Sequence, residues 1–168
     1  MFRKSVREFL FLVAFLVFAS SALAQAPLAA PPPTLYGMPI GLDTAKKAAA
    51  AAVAEARKNN WTMAVAIVDT AGFLVYFEKM DGTQNGSVDV SMDKARTAAL
   101  FKRPSKLFQD ALAAGGEGWR ILQLRGVTPI DGGVPIIVDG KIVGAVGCSG
   151  GAGDQDGRVA KARADSIK

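Results

Sequence analysis

"GGVPIIVDGKIVGAVGCSGG", Gly132 to Gly151, is the stretch that decides how this chain folds. Two runs rich in Val and Ile flank Asp139-Gly140, and such a dipeptide between apolar runs is among the strongest hairpin signals. The stretch therefore reads as two antiparallel strands. In the second, Ile142, Gly144, Val146 and Cys148 share one face, and Val143, Ala145, Gly147 and Ser149 share the other. Small residues at Gly144, Ala145, Gly147 and Ser149 leave room against the sheet for a helix, a neighbouring subunit or a flat ligand.

The end of this stretch, "GCSGG", matches the G-x-S-x-G nucleophile elbow of serine hydrolases. An elbow needs a base, and the chain contains no histidine. A serine–lysine dyad would have to single out one lysine, and nothing in the pattern does so. Ser149 is read instead as a small residue at a tight strand end, a hydrogen-bond donor at most. "GGAGDQDG" fails as a dinucleotide fingerprint, because Asp156 replaces the third glycine and no βαβ unit surrounds it. The missing histidine also removes the usual zinc and haem ligand. Met80, Met92, Tyr36 and Cys148 are the soft or phenolate alternatives for haem iron.

Outward toward the N-terminus, "WTMAVAIVD" and "GFLVYFEKM" form a second predicted hairpin around Thr70-Ala71. A further short strand is expected near "LRGVTPI". Between the hairpins lie two helical segments. Ser87 can cap "SVDVSMDKARTAALFKR", whose core stripe is expected at Val88, Met92, Ala95 and Ala99. Pro104 interrupts it and suits the first turn of a second helix, "PSKLFQDALAA". Before the first hairpin, Asp43 can cap "DTAKKAAAAAVAEARKNN", with Ala45, Ala48, Ala49, Ala52, Val53 and Ala56 on one face. That alanine face suits close packing. A last helix begins at Asp154 or Asp156. No regular strand–helix–strand alternation is present, so the expected class is α+β: an antiparallel sheet of about five strands with helices packed on it, a small sandwich.

The first residues stand outside that domain. A basic start, the apolar run "FLFLVAFLVFA" and Ala22-x-Ala24 have the layout of a secretory signal peptide cleaved after Ala24. Residues 25–41 read as a Pro/Ala-rich leader, and 42–168 as the domain. Export to the periplasm or medium follows, with no stable membrane anchor once the signal is cleaved. Without residues 1–24 the chain carries seventeen basic and fourteen acidic residues, a mild and dispersed excess. No basic cluster suggests nucleic acid. Cys148 is the lone cysteine, so no internal disulfide is available. An exported chain then relies on its core or on oligomerisation.

Asp89 and Asp93, four apart on a predicted helix, are weak candidates for a hard cation. Several segments in order, "VDTAGFLVYFEKMDGTQNGS", "DKARTAALFKRPS", "DGGVPIIVDGKIVGAVGCSGG" and "QDGRVAKA", together resemble the GlcG/HbpS-like family of haem-binding or haem-degrading domains. The resemblance covers about residues 36–168. It implies a small α/β sandwich, oligomers and tetrapyrrole binding. One haem-binding member of that family uses a threonine just before its Gly-Gly-x-Pro turn, and Thr128 is the nearest equivalent here. The same member holds iron by an acidic pair at i, i+3. Asp89 matches the first of that pair, while Met92 stands at the second.

The function expected from this resemblance is haem binding without histidine ligation, in an exported homo-oligomer. The expected pocket joins the loop from Met80 and Asp81 to Ser87, the Lys94–Thr97 turn of the helix, Thr128, and the Gly132-Gly133-x-Pro135 turn. Lys94 would pair with a propionate, and Thr97 and Ser87 would donate hydrogen bonds. Two other readings stay open. One is a protein that binds or transforms a small carboxylate such as a hydroxy acid, again held by Lys94. The other is an assembly module without a ligand. No catalytic constellation is identified.

Overall fold

The computed structural model describes residues 34–164. The expected signal peptide, most of the leader and the last four residues lie outside that range. Helix α1 spans Leu42–Lys58, strand β1 Ala64–Asp69, β2 Leu74–Lys79 and α2 Ser87–Phe101. Helix α3 spans Lys106–Ala113, followed by a 3₁₀ helix, Gly116–Gln123. Strand β3 is Gly133–Val138, β4 is Lys141–Ser149 and α4 is Gly153–Ala164. The sheet has four strands, all antiparallel, in the order β2-β1-β4-β3.

Both predicted hairpins form. Asp139 and Gly140 take positive φ values of 49° and 71°, as a tight turn between β3 and β4 requires. At the other hairpin, Asp69 accepts the backbone N–H groups of Ala71 and Phe73 at 2.8 and 2.9 Å. Pro135 lies on β3, which is an edge strand, where a missing N–H costs least.

The expected strand near Leu124–Ile130 is absent, which corrects the count from five strands to four. Its backbone groups bond to side chains instead of to a ladder. Thr128 N donates to Thr97 Oγ1, Ser105 Oγ donates to the Ile130 carbonyl, and Asp131 N donates to Gln109 Oε1. Once these side chains, brought in from 22 to 31 residues earlier in the chain, satisfy the groups, the segment has little to gain from pairing.

Helices pack on both faces of the sheet. Helices α1 and α4 pack on one, around Val65, Ile67, Ile136, Val146 and Cys148. Helix α2 packs on the other, against Ala66, Val68 and Ala145. The six residues expected on the inner face of α1 are all buried. Gly41, not Asp43, stands at its N-cap, and Asp43 falls in its first turn. Ser87 likewise begins α2 rather than capping it.

Helix α2 sets the position of everything else. It runs across β1, β4 and β3. A Cβ at Gly147 would collide with the Ser91 carbonyl and Ala95 N, and one at Gly133 with the Lys94 carbonyl. The room left on β4 is thus filled by a helix, and by α2 rather than the alanine-faced α1. Close approach also rotates the buried stripe of α2. Ser91, Lys94, Ala95, Thr97, Ala98 and Ala99 are buried, while Val88 and Met92 are only partly so. Small side chains fit against the glycines of the sheet, and the bulkier apolar ones are displaced to the flank.

Candidate functional site

The residues expected to form one pocket lie in three places around α2. The flank toward β3 is closed. Lys94 is 1% exposed, and its Nζ donates to Asp156 Oδ2 at 2.6 Å and to the Cys148 carbonyl at 3.1 Å. Asp156 in turn accepts Gly151 N on its other oxygen, at 3.0 Å. The ion pair therefore ties α2 to the end of β4 and to the start of α4. Burial raises the Asp156 carboxyl above its usual range, against the opposing pull of Lys94.

The expected role of Lys94 as a cation for a propionate or a small carboxylate is corrected by this geometry. The ammonium is sealed beneath Gly132 and already paired. Thr97 is likewise engaged, donating to the Asp93 carbonyl at 2.8 Å and accepting Thr128 N at 2.8 Å. Gly132, Gly133 and Pro135 are buried. Gly133 N donates to Ser105 Oγ at 2.8 Å. This flank joins the predicted residues Lys94, Thr97, Thr128, Gly132, Gly133 and Pro135, but as interior wiring.

The second place is the loop that leads into α2. Met80 is half-buried and Asp81 exposed. Ser87 is buried and accepts the hydroxyl of Ser149 at 3.1 Å. Ser149 is therefore 5% exposed and bonded to another serine, which leaves it no part as a nucleophile. Thr83 is buried, and its Oγ1 has no hydrogen-bond partner among the described residues. Cys148 is fully enclosed, and burial pushes its thiol far up, so it offers no thiolate to a metal. Tyr36 donates its hydroxyl to the Ala99 carbonyl at 2.8 Å, and burial raises its phenol.

The third place is an open groove on the flank of α2 toward β2. Helix α2 does not cover β2, so the α2 side of that strand stays uncovered. Val68 on β1 pairs with Leu74 on β2, which puts both on the groove floor. Phe73, 71% exposed, and Leu74, 51% exposed, continue it. The opposite wall is a single stripe of α2: Asp89, Met92, Asp93 and Arg96, spaced i, i+3, i+4, i+7. The volume is about 560 Å³, within the usual range for small-molecule sites.

The groove is apolar on its floor and charged on its wall. Arg96 is exposed and forms no ion pair among the described residues. Asp89 and Asp93 share the wall, as their spacing predicts. Among the described residues no group of three or more carboxylates and cysteines gathers for a metal ion. Two carboxylates supply too few oxygens for a hard cation alone. Met92 adds a thioether to the same wall.

Val68, Phe73, Leu74 and Arg96 were not among the expected site residues. Strict alternation along β2 puts Phe73, Val75 and Phe77 on one face. A bulge at Val75 breaks that register and turns Leu74 to the groove side with Phe77. Arg96 was legible: it completes the helical stripe of Asp89, Met92 and Asp93.

Comparison with known proteins agrees with this fold. The family model described as "Haem degrading protein HbpS-like" matches residues 40–165. Protein GlcG of Escherichia coli K12 is 42% identical over 100 residues, covering 60% of this chain and 73% of GlcG. HbpS of Streptomyces reticuli, solved as a double mutant, superposes with a TM-score of 0.72 at 31% identity, over 86% of this chain and 99% of HbpS. A haem complex of PduOC shares the fold with a TM-score of 0.70 at 24% identity, over 78% of this chain and 96% of PduOC.

Proposed function

The chain belongs to the HbpS-like family, and from that premise we propose that it is an exported, oligomeric protein that binds haem reversibly in the groove between α2 and the β1–β2 hairpin. The observation that carries this reading is the groove itself. The exposed Phe73 and Leu74 on its floor suit the flat apolar face of a tetrapyrrole. Arg96, without an ion pair among the described residues, stands at its wall and takes the part expected of Lys94, pairing with a propionate. Met92 and the two aspartates are, among the described residues, the groove's soft or anionic groups for iron, and the chain has no histidine. Weak ligation of this kind gives loose, exchangeable binding suited to handling haem rather than storing it.

A spectral titration tests this. Haem added to the protein should shift its Soret band and saturate in the micromolar range. Leu74→Asp and Arg96→Ala should each weaken the titration. No Soret shift up to high micromolar haem would sink the reading. Arg96 also keeps a small-carboxylate ligand in view. A thermal shift with small acids that vanishes in Arg96→Ala, without any haem titration, would favour that reading.

A further inference from the structure

Between α2 and β3 the chain leaves the body of the sandwich. Helix α3 and the 3₁₀ helix pack on each other, and the 3₁₀ helix makes no comparable packing with any other element. Gly118 lies so close to Ala111 that a Cβ there would collide with the Ala111 carbonyl. The two short helices thus form a compact arm. Phe108 anchors it inward, while four other large apolar side chains are exposed: Leu107 is 54% exposed, Trp119 66%, Leu122 71% and Leu124 44%. Clusters of this kind usually mark an interaction surface.

Charge distinguishes the arm further. Residues 102–125 hold five basic residues, Lys102, Arg103, Lys106, Arg120 and Arg125, against two acidic ones, Asp110 and Glu117. The rest of residues 34–164 holds eleven of each sign. The net positive charge expected to be dispersed is therefore concentrated on this arm, and the remainder of the domain is neutral. Lys106 pairs with Asp110 and Arg120 with Glu117, so the excess lies with Lys102, Arg103 and Arg125.

We propose that this arm docks the protein reversibly on an anionic lipid surface. Exposed Trp and Leu beside uncompensated Arg and Lys are the combination that seats a short helical segment at a headgroup boundary. The tryptophan ring suits that boundary, being apolar in body with one N–H. Each basic residue adds attraction to anionic headgroups within a Debye length of the surface. A nucleic acid would use the charge but not the three leucines. Among the described residues no helix is long and apolar enough to cross a membrane.

The test uses the unit Thr34–Lys168, which holds every described element of the fold and lacks the apolar N-terminal run. In Trp61→Phe, Trp119 is the only tryptophan left to report. Vesicles of phosphatidylglycerol and phosphatidylcholine should shift its emission to the blue and sediment the protein. Pure phosphatidylcholine should do neither. The double variant Trp119→Ser, Leu122→Ser should sediment about tenfold less while keeping its far-UV spectrum and its haem titration. Molar salt should also release the protein, because screening there reaches about 3 Å. Equal binding to neutral vesicles, or none to either kind, would overturn the proposal. So would an arm variant that only splits an oligomer, which would make the arm a contact between copies.

Discussion

The two flanks of α2 carry similar residue types and use them in opposite ways. Toward β3, Lys94, Thr97 and Asp156 are buried and every one has a partner. Toward β2, Asp89, Asp93 and Arg96 face an open groove, and Arg96 has no ion pair among the described residues. A polar residue on this helix is structural where the sheet closes over it and available where the sheet is uncovered. The difference comes from one geometric fact: α2 covers three strands of the sheet and not the fourth.

The sharpest way to break that contrast is Lys94→Met. It leaves the Asp156 carboxylate buried without its cation, which costs about 3–5 kcal/mol. Replacing both partners, Lys94→Met with Asp156→Leu, should recover most of that loss. The single variant also has a signed pH dependence. Burial already raises Asp156, and loss of Lys94 raises it further. Above the unfolded value, the unfolded chain is ionised while the fold retains the proton. Stability is then fully present below that value and falls as pH rises through the folded one. Urea unfolding should therefore show a smaller gap to wild type near pH 4 than near pH 7. A gap that does not change with pH would mean that Asp156 ionises freely in the fold.

Next in size is Gly147→Ala. The Cβ must displace α2, since the obstructing atoms are the Ser91 carbonyl and Ala95 N rather than flexible side chains. Overpacking of this kind costs about 1–3 kcal/mol. The displacement should also disturb the groove wall, so thermal unfolding and ligand titration should both change. Arg96→Ala reverses the pattern. Stability should stay within about 0.5 kcal/mol of wild type, as for an exposed side chain without partners. Haem affinity should fall by about tenfold, the scale of a lost charge-assisted hydrogen bond. If Arg96→Ala destabilised the protein as much as Lys94→Met, the contrast between the flanks would be false.

Much of the fold was legible because its signals are local. Asp139-Gly140, the alanine face of α1 and the apolar runs of β1 and β4 each specify an element without reference to the rest. The missing fifth strand was not legible. Its backbone is satisfied by Thr97, Ser105 and Gln109, which stand 22 to 31 residues away. The site followed the same division. The Asp89–Arg96 stripe is helical arithmetic and can be read from the chain. The burial of Lys94 depends on Asp156, 62 residues later, and on Gly133 admitting its backbone. A lysine between charged neighbours reads as solvent-facing until the sheet is placed over it.

The smallest effect concerns Thr83, which belongs to neither flank. Its hydroxyl is buried and has no partner among the described residues, although the loop around it is otherwise tied down, with Thr83 N on the Met80 carbonyl and Lys79 on Asn85. A buried hydroxyl without a partner costs about 1–3 kcal/mol in desolvation that nothing returns. Thr83→Val keeps the shape and removes that cost. It should leave the protein as stable as wild type or about 1 kcal/mol more stable, with haem titration unchanged. Chemical denaturation of the two proteins decides the point. A clear loss of stability in Thr83→Val would show that Oγ1 has a partner in solution, and the loop would then join the closed flank of α2 as structural wiring.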